Sequence, residues 1–458
     1  MEPNTNAPFA NAEEAISWIK GLIAFGPKPG LKRMEYMMER FGNPERRLKF
    51  IHVAGTNGKG STCAYLTRAL MQAGYDVGTF TSPYLTRFTD RIQHNGVDLA
   101  DEDLLNIANR LKPVADEMEG SDIGSPTMFE VTTAAALIYF ATVSYPDFVV
   151  WETGLGGRLD STNIVTPVVS VITNVGFDHT DVLGETIAEI AAEKAGIIKP
   201  GVPVVTTAEH PEALQVFRET AEQRKSKLYV LGEDFEVEVG EVQKNKQVFH
   251  FDGPFRKLPD MTLTMNGEHQ VKNAAAALMT LEVLRQYYAA LLDPEDLLQA
   301  FRETSWLGRL EAIELADRPG LQVLLDGAHN PEGAAALADA LKKVYTYKKL
   351  HLLIGMLSTK NHKDYLQHIL PIANSILFTE PDFRKKLEAE ELFRVASELK
   401  AETGAAAELF CEPEWSRALE QLLDRAESGD LAVISGSLYL ISDVRAQLMK
   451  LTDTDKGW

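Results

Sequence analysis

Residues 51–66 read IHVAGTNGKGSTCAYL: an apolar run of strand character, a glycine-rich turn, then a stretch of helical character. Few local folds accept that order. The glycines let successive backbone N–H groups turn toward one point, and a helix starting there adds its partial positive charge. Lys59 supplies a point charge suited to the β- and γ-phosphates of a nucleotide. Asn57, Gly58, Lys59, Gly60, Ser61 and Thr62 are the candidate nucleotide-binding residues. The spacing departs from G-x-x-x-x-G-K-[ST], because Val53 holds the first glycine position and Gly60 stands where the metal-binding hydroxyl normally sits. The plainer alternative is a glycine-rich strand–helix turn without a ligand.

The same strand–helix rhythm recurs along the chain. Apolar runs at 50–54, 77–81, 147–152, 168–173 and 202–206 alternate with helix-length stretches at 61–73, 127–145, 186–198 and 211–224. That pattern predicts an α/β fold with a mainly parallel sheet. Between 235 and 265 polar and apolar residues alternate with glycine punctuation, as in antiparallel hairpins, and helices are expected at 270–288 and 294–304. A second α/β cycle starts near Leu321, with strands at 322–326, 350–354, 376–379, 408–411 and 431–435. The boundary is placed near 305–308, giving units 1–306 and 307–458, in keeping with about two to three domains for 458 residues.

Several classes are disfavoured. Two cysteines, Cys63 and Cys411, make neither a disulfide framework nor a thiolate zinc site. A net charge of −20 argues against a broad nucleic-acid surface, yet a few local cations and N–H groups still suffice for one triphosphate. No apolar run approaches the ~20 residues that span a bilayer, and the N-terminus lacks the features of a signal peptide. The expectation is a cytoplasmic protein with no membrane or nucleic-acid partner.

Catalytic groups in open α/β sheets collect beyond the carboxyl ends of strands. Ser82, Glu152 and His179 all fall there, and together they offer a mixed oxygen/nitrogen set compatible with Mg²⁺. Each also fits a plainer role: Ser82 capping a turn before Pro83, Glu152 paired with Arg158, His179 an ordinary loop histidine. Lys194, in AAEKAGIIKPG, reads first as an exposed or ion-paired helical lysine.

The segments GTNGKGST, TSPYL, ETGLGGRLDSTN, FDH, EKAGIIKPG, DGAHNP and SGSLYLIS occur in one order between residues 55 and 442. Together they resemble the folylpolyglutamate synthase/dihydrofolate synthase branch of the Mur ligase family. The resemblance implies an N-terminal P-loop ATPase domain and a smaller, Rossmann-like C-terminal domain that close over one site. It implies that Lys59, Gly60 and Ser61 hold ATP phosphates, that Ser82, Glu152 and His179 ligate or position Mg²⁺, and that Lys194 is a carbamylated lysine. Asn273, Arg309 and Asp326 match ATP-contacting residues, and His329 lies near them as a weak candidate base. Thr127, Phe129 and Glu130, with Leu159, Asp160 and Ser161, match two substrate-contacting segments. Phe129 suits a stack on a pterin ring or an ordinary core position. Glu130 suits pairing with ring nitrogens.

The implied activity joins L-glutamate to a folate, or to dihydropteroate, at the expense of ATP through an acyl phosphate, in a monomer. Two alternatives remain at this stage. One is a Mur-type ligase acting on a cell-wall nucleotide–peptide. The other, of a different class, is a nucleotide-dependent switch protein.

Overall fold

The computed structural model describes residues 8–22 and 30–451. Its first sheet has eight strands: β1 (Phe50–Ala54), β2 (Val77–Phe80), β3 (Ile92–His94), β4 (Val97–Asp98), β5 (Phe148–Glu152), β6 (Val169–Ile172), β7 (Val204–Thr206) and β8 (Leu228–Val230). They lie in the order β4-β3-β2-β5-β1-β6-β7-β8. The pairs from β2 to β8 are parallel, whereas β3 and β4 add an antiparallel edge. Every residue of β1 and β5 is buried, as expected for central parallel strands covered on both faces.

The alternating segment forms a three-stranded antiparallel sheet, β9 (Glu236–Gln243), β10 (Lys246–Asp252) and β11 (Lys257–Leu263). Phe249, Phe251, Leu258 and Met261 turn one face of it into the core around the helix Glu268–Tyr288. That helix is buried along most of its length and carries the small-residue run Ala274–Ala277, which suits close approach to the helix Lys59–Gln72.

A second sheet follows: β12 (Glu311–Ile313), β13 (Gln322–Leu325), β14 (Leu350–Ile354), β15 (Ser375–Glu380), β16 (Glu408–Glu414) and β17 (Leu431–Ser435), in the order β12-β13-β17-β14-β15-β16. Only β12 runs antiparallel. The expected mixed α/β architecture is therefore present in both sheets. The helix expected over 127–145 is Met128–Tyr139 followed by a wider π-helical turn, Phe140–Ser144. Beyond the elements read from the sequence, the fold has the helices Ala12–Gly21, Lys32–Arg40, Asp101–Glu119 and Thr180–Leu183, and the short strands β3, β4, β8 and β12 at or beside the sheet edges.

In the first sheet β2, β5, β1 and β6 are consecutive neighbours, so their carboxyl ends open side by side. In the second, β13, β17 and β14 are consecutive. Loops leaving these seven strands meet in one cavity.

Candidate active site

The helix Lys59–Gln72 begins at Gly58, whose φ of 83° is left-handed, and no side chain caps it. The N–H groups of its first turn therefore stay open toward the cavity, which is what an anion site at a helix start requires. The helix Met128–Tyr139 makes the contrast: a capping box of Thr127 and Glu130 fills its N-terminus. Gly58 is required sterically as well, since a Cβ there would lie 2.2 Å from Oδ1 of Asn273.

The exit of β6 braces the loop. Asn57 N–H donates to Oδ1 of Asn174 (2.7 Å), and the Thr173 hydroxyl donates to the Asn57 carbonyl (2.6 Å). Lys59 Nζ curls back onto the Gly55 and Thr56 carbonyls at 3.0 and 3.4 Å. Gln270 Nε2 lies 3.4 Å from the Ser61 hydroxyl and its own carbonyl accepts from Asn273 Nδ2. Gln270 is thus a loop-supporting residue missed in the sequence, although it sits three residues before Asn273 on the same helical face.

The cavity holds about 1150 Å³. Its lining includes residues of the phosphate loop together with Ser82, Glu152, His179, Lys194, Asn273, Arg309, Asp326 and His329. Ser82 and Glu152 meet: the Ser82 N–H donates to Glu152 Oε2 at 2.8 Å. Burial pushes the Glu152 carboxyl up to about 7, partly offset by Lys59. Glu152 does not pair with Arg158, which binds Glu193 instead (2.6 Å). His179 joins a different group, with Nε2 lying 3.4 Å from Lys360 Nζ. Among the described residues no cluster of three or more His, Cys, Asp or Glu side chains forms a ready metal cage.

Lys194 is buried, and among the described residues it makes no ion pair. It is 2% exposed, lines the cavity, and burial lowers its amine to about 7. Thr186 caps its helix, Ile187–Ala195, in a capping box with Glu189.

The second sheet answers across the gap. Asp326, just beyond β13, accepts from the N–H groups of Leu310 (2.9 Å) and Ala328 (3.0 Å); burial raises its pKa and Arg309 opposes that. His329 Nδ1 lies 2.8 Å from the Gly327 carbonyl and its Nε2 lies 3.3 Å from Asp178. Burial, then the Lys360 charge, lowers the His329 pKa, against the Asp178 hydrogen bond and charge, which raise it. Asp178 also takes Lys360 Nζ at 2.6 Å and Asn330 Nδ2 at 3.2 Å. Asn330 Nδ2 reaches Oδ1 of Asn57 as well (3.0 Å), so a second-sheet loop touches the phosphate loop directly. The sequence reading singled out neither Asp178, Asn330 nor Lys360.

From the two segments expected to contact substrate, Thr127, Phe129, Leu159, Asp160 and Ser161 line the cavity. Phe129 packs against the core near Phe80 (centroids 6.0 Å apart) and also lines the cavity. Glu130 behaves otherwise. Both its oxygens accept from Arg33 Nε (2.9 and 3.0 Å), and one also accepts from Thr127 N–H. Its carboxylate is committed within the fold and leaves little to offer a pterin edge. Asp160 likewise folds onto its own turn, accepting from Leu155 N–H at 2.7 Å and Thr162 N–H at 3.0 Å.

Two family models match the chain: the Mur ligase middle domain over residues 53–281, and the Mur ligase, glutamate ligase domain over residues 308–438. A glycine-rich loop faces a second α/β sheet across one cavity, and the two matches together make the chain a Mur-type ligase. A dihydrofolate synthase/folylpolyglutamate synthase of Bacillus subtilis (strain 168) is 39% identical, covering 96% of this chain and 100% of that protein. The folylpolyglutamate synthase structure from Thermotoga maritima is 34% identical, with a TM-score of 0.81 over 95% of this chain and 97% of that one. The Mycobacterium tuberculosis folylpolyglutamate synthase complexed with ADP and AMPPCP is 28% identical, with a TM-score of 0.87 over 95% and 99%. The chain belongs to the dihydrofolate synthase/folylpolyglutamate synthase family of Mur ligases.

Proposed function

We propose that this protein is an ATP-dependent ligase that joins the amine of L-glutamate to the carboxylate of a folate, and also to that of dihydropteroate. The observation that carries it is the uncapped phosphate loop sharing one cavity with Asp326 and His329 of the second sheet. The cell-wall alternative and the switch-protein alternative have no comparable support. The division into units at 306/307 fits the position of the connection, because the helix Pro294–Glu303 ends the first set of elements and β12 opens the second.

The chemistry has two steps. A substrate carboxylate oxygen attacks the γ-phosphorus of ATP, the bond to the bridging oxygen breaks, and ADP leaves an acyl phosphate. The glutamate amine then attacks the carbonyl carbon, loses a proton, and inorganic phosphate departs. Phosphorylation supplies the leaving group that a carboxylate lacks. The protein must neutralise charge, align reactants and exclude water. Lys59 and the N–H groups at 58–62 take the phosphate oxygens, with Asn273, Arg309 and Asp326 around the nucleotide. His329, which lines the cavity beside Asp326, is the base assigned to the amine. Thr127, Phe129, Leu159, Asp160 and Ser161 form the wall for the pterin end, Phe129 by stacking.

A divalent cation fits Ser82, Glu152 and His179 in donor chemistry. Glu152 is a 3% exposed carboxylate whose pKa of about 7 marks a charge in want of compensation. Bound with ATP, Mg²⁺ supplies charge neutralisation on the phosphates. Among the described residues no helix is long and apolar enough to cross a membrane, and a monomer in the cytoplasm is the setting we assign.

Lys194 is placed here as a carbamate. Its neutral amine attacks carbon dioxide, the carbon keeps both oxygens as a carboxylate, and the proton goes to solvent, reversing the local charge. Between about 7 and the ordinary lysine value of about 10.4 the unfolded chain binds the extra proton and the fold does not, so the stability cost of burying this amine eases as pH rises through that window. Carbamate formation follows the same direction. Isotope-labelled carbon dioxide is expected to give a protein carbamate NMR signal that strengthens from pH 6.5 to about 8.5 and is missing in Lys194→Ala. A wild-type protein with no such signal, and full activity after carbon dioxide is purged, contradicts the assignment.

The functional test is mass spectrometry of products with dihydropteroate and tetrahydrofolate offered separately alongside ATP and glutamate. Glutamylation of both supports the full proposal. Glutamylation of one alone removes the other substrate, and ATP hydrolysis without either product overturns the ligase assignment.

A further inference from the structure

Gly60 sits in the first turn of the helix Lys59–Gln72 and has no left-handed backbone angle that would demand glycine. In such a place alanine is favoured by about 0.5–1 kcal/mol. The reason for glycine is a neighbour far along the chain. A Cβ on Gly60 would meet the Trp306 indole at Nε1 (2.7 Å), Cε2 (3.2 Å) and Cζ2 (3.3 Å). All three contacts are tighter than ordinary van der Waals separation.

Trp306 lies in the connection between the helix Pro294–Glu303 and β12. It packs, half-buried, on the core cluster that contains Cys63, Tyr65 and Leu66 of the phosphate helix. Tyr65 also stacks on Phe301 with centroids 5.0 Å apart, so the end of the preceding helix is anchored on the same surface. Three residues after Trp306, Arg309 lines the cavity and opposes the buried Asp326. Gly308 N–H is held by Glu311, and its carbonyl accepts from Gly327 N–H (2.8 Å) at the edge of the second sheet. One short segment therefore touches the phosphate loop at one end and the second sheet's catalytic edge at the other.

We propose that Trp306 is a positioning residue: its indole edge, seated on Gly60, ties the helix turn that receives the ATP phosphates to the connection that carries Arg309. Phosphate binding and the placing of Arg309 are then one event. The bulk that the usual phosphate loop carries at this position is supplied here from the inter-sheet connection. The proposal rests on the assignment of residues 58–62 to the phosphates.

The test uses the full-length enzyme and four forms: wild type, Gly60→Ala, Trp306→Leu and the double variant, with Trp306→Phe as a gentler check on folding. AMPPCP affinity by calorimetry, KM for ATP, kcat and Tm are read for each. Gly60→Ala is expected to weaken AMPPCP binding and raise KM for ATP by about tenfold, because the new methyl and the indole compete for one space. In the double variant the space is open, and AMPPCP affinity is expected to return to within about threefold of Trp306→Leu alone. Trp306→Leu and Trp306→Phe are expected to lower kcat at saturating ATP, as Arg309 loses its register. Independent, multiplying effects in the double variant overturn the contact, as does a Trp306→Leu form that shifts Tm while both kinetic constants stay unchanged. Wild type that binds no AMPPCP overturns the phosphate-loop assignment itself, and the proposal with it.

Discussion

Lys59→Ala is expected to lower kcat by about 10²–10³-fold, the scale seen when one preorganised donor to a developing charge is removed. The structure gives this lysine little else to do. Among the described residues its Nζ hydrogen-bonds only to carbonyls of its own loop, Gly55 and Thr56, so its loss strips charge from the cavity without opening the core. Tm should change by little, while kcat/KM for ATP falls with kcat. Near-normal turnover would remove Lys59 from the phosphate-directed role. Collapse of Tm would show instead that the loop needs the lysine to hold its shape.

Asp178→Ala is the second large effect. Burial raises this carboxyl, but the hydrogen bond and charge of His329, then the charges of Lys360 and His179, outweigh it and hold it well below the usual carboxylate range. Three of its partners, His329, Asn330 and Lys360, come from the second sheet's loops. Without Asp178, the 6% exposed side chain of Lys360 faces the closed gap unpaired. An abandoned buried charge costs about 3–5 kcal/mol. The two halves escape that cost by separating, so kcat/KM is expected to fall at least about tenfold with a smaller fall in Tm. Asp178→Ala combined with Lys360→Met should recover most of the lost Tm, because removing both charges leaves nothing stranded. A single variant with unchanged kcat/KM would mean that this ion pair does not hold the site together.

Much of this site is written in local pattern. The phosphate loop announces itself through a strand, a glycine-rich turn and a helix within sixteen residues. Central strands such as β1 and β14 are short, wholly buried runs, apolar but for His52 and His351, and their bounds of 50–54 and 350–354 are those expected from the sequence. Edge strands were not legible for the matching reason: β3 and β4 are two or three residues long and only partly buried, so no period has room to show. The helix Asp101–Glu119 carried a signal that went unused, three acids in its first turn, masked by Pro113 in its interior.

Pairings across the gap were out of reach. Asp178 meets Lys360 across 182 residues of chain, and Trp306 meets Gly60 across a still longer span. Nothing local distinguishes Lys360 from the neighbouring surface lysines. Asn330 did leave a trace, as an N-cap residue just ahead of Pro331. The same side chain that caps its helix, accepting from Gly333 N–H, also donates to Asn57 and Asp178. Lys194 shows the opposite limit: a helical lysine looks like surface in any local window, and only its burial in the structure explains a depressed amine. Glu130 closes a capping box with Thr127, a T-x-x-E pattern the sequence reading passed over, and that role with Arg33 uses up the carboxylate.

The account turns on the carboxylate being phosphorylated before the amine arrives. The most direct measurement is to supply folate whose terminal carboxylates carry heavy oxygen, allow one round of glutamylation, and determine the isotopic composition of the phosphate released. Transfer of one labelled oxygen to inorganic phosphate for each amide formed is the predicted result. Amide formation with unlabelled phosphate would contradict it, since the acid's oxygen would then have left by a route that bypasses the mixed anhydride.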